Sequence, residues 1–238
     1  MNPIYRQSFL IALATVLSIP AWAQQKSTVY QATFRGLAWD SMITDLNIAD
    51  GTKVVPMTLF PNGRSQFYTY QGTDPMLFFR EVTGTDGKLV AEVSGSIPLG
   101  EFKQRTLLIF FKKPANQYMV RAVDDSDAAI PPGSYCFLNL SNFPLQVKCG
   151  PGQGTVPANG TASLRGEPGG GASSILMQID AVTPDGRIVP AYSNLLPFGK
   201  MDRTLVFVYQ EPQSGAFVIK RVAEDATMIP RPTPVRRR

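Results

Sequence analysis

The chain has 238 residues, with 20 Gly, 20 Pro, two Cys, no His and a formal net charge of +5. Without His, Ser-His-Asp and Cys-His nucleophile activation, the usual zinc sites and the commonest general base are excluded. Of the 23 Lys and Arg, Arg6 lies near the start and Arg231, Arg236, Arg237 and Arg238 at the end; that leaves 18 basic against 18 acidic residues in 24–230, so a nucleic-acid-binding face of clustered Lys and Arg has no support.

In chain order, Arg6, the apolar run Ser8 to Ile19 and the small-x-small site Ala21-Trp22-Ala23 predict a signal peptide over 1–23. A membrane anchor is the competing reading, but the run is shorter than the roughly 20 apolar residues needed to span and contains Pro20. The expected location is exported, periplasmic or extracellular, with no transmembrane segment after Gln24. The 215 residues from Gln24 on suit two domains of about 100 residues each.

Thr33 to Trp39 and Ile43 to Ile48 are short apolar strands, and Gln66 to Tyr70 alternates as a half-exposed strand does. Asp50-Gly51, Asn62-Gly63, Asp86-Gly87 and Asp185-Gly186 are hairpin-turn signals, because Gly enters positive φ without a steric penalty. Leu77 to Val82 pairs with Leu89 to Val93, and Thr106 to Phe111 with Tyr118 to Val123; Ile175 to Val182 with Ile188 to Tyr192, and Thr204 to Tyr209 with Phe217 to Val222, repeat the pattern. Apolar residues of both parities in Leu107 to Phe111 and Leu205 to Tyr209 predict central strands covered on each face.

These pairs belong to an internal duplication. Arg105-Thr106-Leu107-Leu108-Ile109-Phe110-Phe111 returns 98 positions later as Arg203-Thr204-Leu205-Val206-Phe207-Val208-Tyr209. Thr85-Asp86-Gly87-Lys88-Leu89-Val90 aligns with Pro184-Asp185-Gly186-Arg187-Ile188-Val189, and Val123-Asp124-Asp125 with Ala223-Glu224-Asp225. The expected fold is all-β: two tandem immunoglobulin-like antiparallel β-sandwich domains, over 24–128 and 129–229, joined by the stiff Pro131-Pro132-Gly133. The segment 150–171 is loop-rich, with an edge strand at Thr161 to Arg165.

Read as a hairpin turning at Ser141 to Pro144, the stretch Cys136 to Cys149 places its two cysteines directly opposite, and an exported protein meets oxidising conditions, so a disulfide is predicted. Two reduced buried thiols are the alternative, and no C-x-x-C spacing supports redox chemistry.

The acidic residues Asp124, Asp125 and Asp127, with Glu224 and Asp225, recur after the last strand of each unit. The plain reading is a solvated turn; the sharper one is a calcium site with Asp124, Asp125 and Asp127 as oxygen ligands. Paired carboxylates also keep open a His-free hydrolase. Trp39, Tyr68 and Tyr70 are candidate sugar-stacking rings, the two tyrosines sharing a strand face, against ordinary packing as the alternative.

Residues 230–238, with alternate prolines and the four terminal arginines, read as a disordered basic tail for an anionic polymer, lipid head groups or an acidic envelope partner. Taken together, the signal peptide, the strand leading to Asp45-Leu46-Asn47-Ile48, the opening Gly133-Ser134-Tyr135-Cys136-Phe137-Leu138-Asn139-Leu140-Ser141 and the Arg-Thr-Leu strands resemble exported bacterial tandem β-sandwich proteins. The resemblance implies fold and compartment and brings no catalytic residues. The expectation is a non-catalytic envelope binding or scaffolding protein without cofactor, acting through the tail and a cleft between the units; the rivals are a carbohydrate-binding module and a carboxylate-dependent hydrolase.

Overall fold

The computed structural model describes residues 29–168 and 172–229; the predicted signal peptide and basic tail lie outside them. The first unit holds β1 (Tyr30–Ala38), β2 (Ile43–Asp50), β3 (Lys53–Leu59), β4 (Tyr68–Gly72), β5 (Met76–Thr83), β6 (Leu89–Ile97), β7 (Thr106–Lys112) and β8 (Tyr118–Asp124). The second holds β9 (Ser134–Asn139), β10 (Leu145–Cys149), β11 (Gly152–Val156), β12 (Thr161–Arg165), β13 (Ser174–Val182), β14 (Ile188–Pro197), β15 (Asp202–Gln210) and β16 (Phe217–Asp225).

The sheet orders of the first unit, β4-β1-β7-β8 and β3-β2-β5-β6, become β12-β9-β15-β16 and β11-β10-β13-β14 when every strand number is raised by eight. The duplication therefore extends to every strand. All ladders are antiparallel except β1 with β7 and β9 with β15, where the first and seventh strands of each unit run parallel. Each unit is a β-sandwich with its own core. Phe34, Leu46, Ile48, Phe78, Leu108 and Phe110 fill the first, and Phe137, Leu145, Val147, Ile179, Val206 and Val208 the second.

A third core lies between the sandwiches. Leu37 of β1, Leu107 and Ile109 of β7 and Val123 of β8 pack against Cys136 and Leu138 of β9, Leu205 and Phe207 of β15 and Val222 of β16, with Ile130 of the connection among them. Strand periodicity explains it: Leu108 and Phe110 point into the first sandwich while Leu107 and Ile109 point out of it, and Val206 and Val208 alternate likewise with Leu205 and Phe207. The apolar outer faces of two inner sheets cover each other, so both parities of β7 and β15 are buried. The cleft expected between the units is filled.

The connection supports this stacking. Gly133, immediately before β9, has φ of +74°, and a Cβ there would lie 3.1 Å from the Lys200 carbonyl oxygen, so the chain needs Gly where it enters the second sandwich. The Asp-Gly turns behave as read at Gly51, Gly87 and Gly186, all at positive φ. Asn62-Gly63 does not: it lies on the passage from β3 in one sheet to β4 in the other, and no hairpin forms there.

The predicted disulfide is corrected in the same way. β9 pairs with β12 and β15, and β10 with β11 and β13, so the two strands belong to opposite sheets of one sandwich. Cys136 and Cys149 are free and buried. Cys136 faces the core between the sandwiches and Cys149 the core of the second sandwich. The segment Ser141 to Pro144 is a sheet-to-sheet corner, braced by Asn139: its Nδ2 donates to the carbonyls of Phe143 at 2.7 Å and Pro157 at 2.9 Å, and its Oδ1 accepts from the Ser141 N–H at 2.9 Å.

Candidate functional site

Charged groups converge at one end of the core between the sandwiches. Arg35 of β1 and Arg203 of β15 sit on the mutually facing sheet surfaces, Glu224 comes from β16, Arg64 from the β3–β4 passage, and Asp125 from the turn after β8. Arg35 Nε donates to the Ser65 carbonyl at 2.8 Å and its Nη2 to Glu224 Oε1 of the other unit. Arg203 Nε donates to the Ile130 carbonyl at 2.7 Å, and its Nη2 to the Asp125 carbonyl at 2.6 Å and carboxylate at 3.1 Å. Arg64 Nε lies 3.3 Å from Asp125 Oδ1 and 3.5 Å from Glu224 Oε2.

Three guanidinium groups thus share two carboxylates out of water. Asp125 and the Arg203 side chain are fully buried. Burial pushes the Arg203 guanidinium below its usual range, and Asp125 opposes that shift. Several buried nitrogens and oxygens here make no hydrogen bond, among them Arg35 Nη1 and Asp125 Oδ2, which face each other at 3.9 Å. Ions in such a setting repay their desolvation only jointly, so removing one leaves its partner charged and dry. The arrangement links β1, β15, β16 and the connection through hydrogen bonds and ion pairs.

At the other end of the same contact, Trp39 packs against Phe111, Phe207 and Tyr209, each with ring centroids 5.2 Å away. The Lys220 ammonium donates to the Trp39 carbonyl and lies 4.8 Å from the indole centroid, a cation–π contact between the units. Burial pushes the Lys220 ammonium down, with Asp40 opposing.

These contacts correct the ligand assignments. Asp124 accepts from the Ser126 N–H, Asp125 is held by Arg64 and Arg203, and Asp127 by Arg105. The three carboxylates neutralise arginines or cap a turn instead of converging, and no metal-ligand cluster occurs among the described residues. The stacking platform is also absent as read. Tyr68 and Tyr70 do share a face, but it is the inner one: both are buried, with the Tyr68 hydroxyl hydrogen-bonded to the Thr58 backbone and the Tyr70 hydroxyl donating to the Thr73 carbonyl at 2.6 Å.

Arg35 and Arg64 belong to no motif in the sequence, and Arg105 and Arg203 stand out there only as repeat markers. A usable signal was present: Arg35 interrupts an apolar strand between Phe34 and Leu37, where a charge needs a buried partner. Of the outward surfaces, the face formed by β11, β10 and β13 holds a shallow polar groove of about 520 Å³, lined by Gln146, Lys148, Gln153, Gln178 and Asp180. No helix among the described residues is long and apolar enough to cross a membrane. The sequence matches no protein-family pattern and shows no similarity to curated proteins.

Proposed function

We propose that the protein is an exported, non-catalytic binding or scaffolding element of the cell envelope: a rigid double sandwich that presents polar sheet faces and a basic tail. The observation that carries this reading is the junction itself. The carboxylates best placed for acid–base work, Asp125 and Glu224, are occupied by Arg35, Arg64 and Arg203 and serve to hold two units at one angle. A scaffold gains from such rigidity, and a hydrolase needs its carboxylates turned toward substrate.

Fractionation of cells expressing the chain with and without residues 1–23 tests export, and capture from envelope extracts with and without residues 230–238 tests the role of the tail. The protein is expected outside the cytosol only when 1–23 is present, with salt-sensitive retention that depends on the terminal arginines. Cytosolic accumulation of the intact chain, or retention indifferent to both the tail and salt, contradicts this reading.

A further inference from the structure

The two repeats differ at one edge. β6 and β14 are equivalent outer edge strands, and each leaves its turn in the same way: the Gly84 N–H donates to the Lys88 carbonyl at 2.7 Å, and the Thr183 N–H to the Arg187 carbonyl at 2.9 Å. Counting alternately from those closures along Val82↔Val90, Glu81↔Ala91 and the matching pairs Ala181↔Val189, Asp180↔Pro190, the backbone groups of Leu89 and Ala91 point away from β5, as do those of Ile188 and position 190 away from β13. The Val93 carbonyl agrees, since it accepts from the Gln117 side chain outside the ladder at 3.0 Å. Pro190 therefore removes an outward donor from β14, a common protection of edge strands, whereas Ala91 leaves that donor free on β6.

The exposed stretch of β6 is also self-complementary. Lys88-Leu89-Val90-Ala91-Glu92 laid antiparallel on a copy of itself about Val90 sets Leu89 opposite Ala91, Val90 opposite Val90 and Lys88 opposite Glu92. That register matches outward backbone groups with outward backbone groups, and it places opposite charges at non-hydrogen-bonded sites where side chains are nearest. Leu89 is 67% exposed, Val90 46% and Val93 48%, so both faces of the strand carry apolar surface to cover. Glu92 now meets the largely buried Arg80 at 3.3 Å and Lys88 the exposed Asp86 at 3.7 Å; the Lys88 and Glu92 side chains are themselves exposed and free to exchange partners.

We infer that the chain self-associates as a two-fold dimer through antiparallel pairing of β6 with β6 of a second copy, Lys88 of each facing Glu92 of the other. Two-fold pairing uses up the β6 edge of both copies, and Pro190 closes the equivalent edge of the second repeat, so pairing through these edges stops at two copies. A ladder this short covers less than the about 1,200 Å² of a standard interface, so the dimer is weak and concentration-dependent.

Sedimentation equilibrium of the exported protein, across concentrations reaching several hundred micromolar, reads the association. The wild type is expected to show a monomer–dimer equilibrium with no larger species. Ala91→Pro, which copies the second repeat, abolishes it; Lys88→Glu and Glu92→Lys each weaken it about tenfold, from two like-charge pairs per dimer, and the double exchange restores it. Because Lys88 and Glu92 are exposed, these variants remain informative if Ala91→Pro fails to fold. A wild type monomeric throughout, growth beyond dimers, or a double exchange no stronger than the single variants overturns the inference.

Discussion

Arg35 and Cys136 occupy the same position in the two repeats. Arg35 pairs across the parallel ladder with Leu107 and Cys136 with Leu205, the leucines of the repeated Arg-Thr-Leu segment. Both face the contact between the sandwiches, but Arg35 reaches Glu224 of the second unit whereas the Cys136 thiol stays neutral beside the apolar core. The contact is thus built from duplicated sheets whose matching positions have diverged into a charge on one side and a small apolar group on the other.

Removing one member of the buried ion group strands the others. Arg203→Ala and Asp125→Ala are each expected to lower stability by about 3–5 kcal/mol, whereas Arg187→Ala, an exposed pairing with Asp185, changes it by less than about 1 kcal/mol. Urea denaturation with a common m-value checks this. Equal effects at the buried and exposed sites contradict the assignment.

Both thiols are expected to be unmodified in the native protein: intact mass under non-reducing conditions shows no bridge, and thiol reagents label Cys136 and Cys149 only after unfolding. Burial pushes Cys136 up to about 11 and Cys149 up to about 12 from 9.0. The native thiols therefore hold their protons where unfolded ones lose them. Their contribution is constant below about pH 9, and above it stability falls by about 1.4 kcal/mol per pH unit per thiol until the native values are reached. Lys220 opposes this, because its lowered native value makes stability rise toward 10.5. The slope difference between wild type and a variant with both cysteines changed to alanine, measured from pH 9 to 10, isolates the thiols.

Phe207 is fully buried between the sandwiches, outside either sandwich core. Phe207→Ala is expected to cost about 3–5 kcal/mol, comparable with Phe78→Ala inside the first sandwich. If Phe207→Ala proves near neutral, the facing sheets contribute little to stability.

Lys220→Met keeps the length of the side chain and removes the cation over Trp39. A loss of about 0.5–2 kcal/mol is expected, together with a shift in indole emission. Since the chain's other Trp is Trp22, protein lacking residues 1–23 reports this contact with a single fluorophore.

Much of the architecture was legible because it rests on local patterns. Asp-Gly turns mark three hairpins, and the dual apolar parity of Leu107 to Phe111 and Leu205 to Tyr209 reports two covered faces. What covers the second face is a long-range fact that no local pattern carries. The same limit explains the cysteines and the rings: a corner between sheets and a hairpin turn use the same Ser, Asn and Pro residues, so Ser141 to Pro144 did not reveal which it was, and the alternation through Tyr68 and Tyr70 identifies a shared face without saying which way that face looks. Asp125 of the acidic turn meets Arg35, Arg64 and Arg203, which are far away in sequence, so no local pattern marks it as buried.

The core between the two sandwiches and the Arg35, Arg64, Arg203, Asp125 and Glu224 group join them into one mechanical body. Urea unfolding of protein lacking residues 1–23, followed at once by Trp39 fluorescence at the contact and by far-UV circular dichroism of both sandwiches, tests it most directly. One cooperative transition with coincident midpoints is expected. An early loss of the Trp39 signal while both sandwiches keep their strand signal contradicts it.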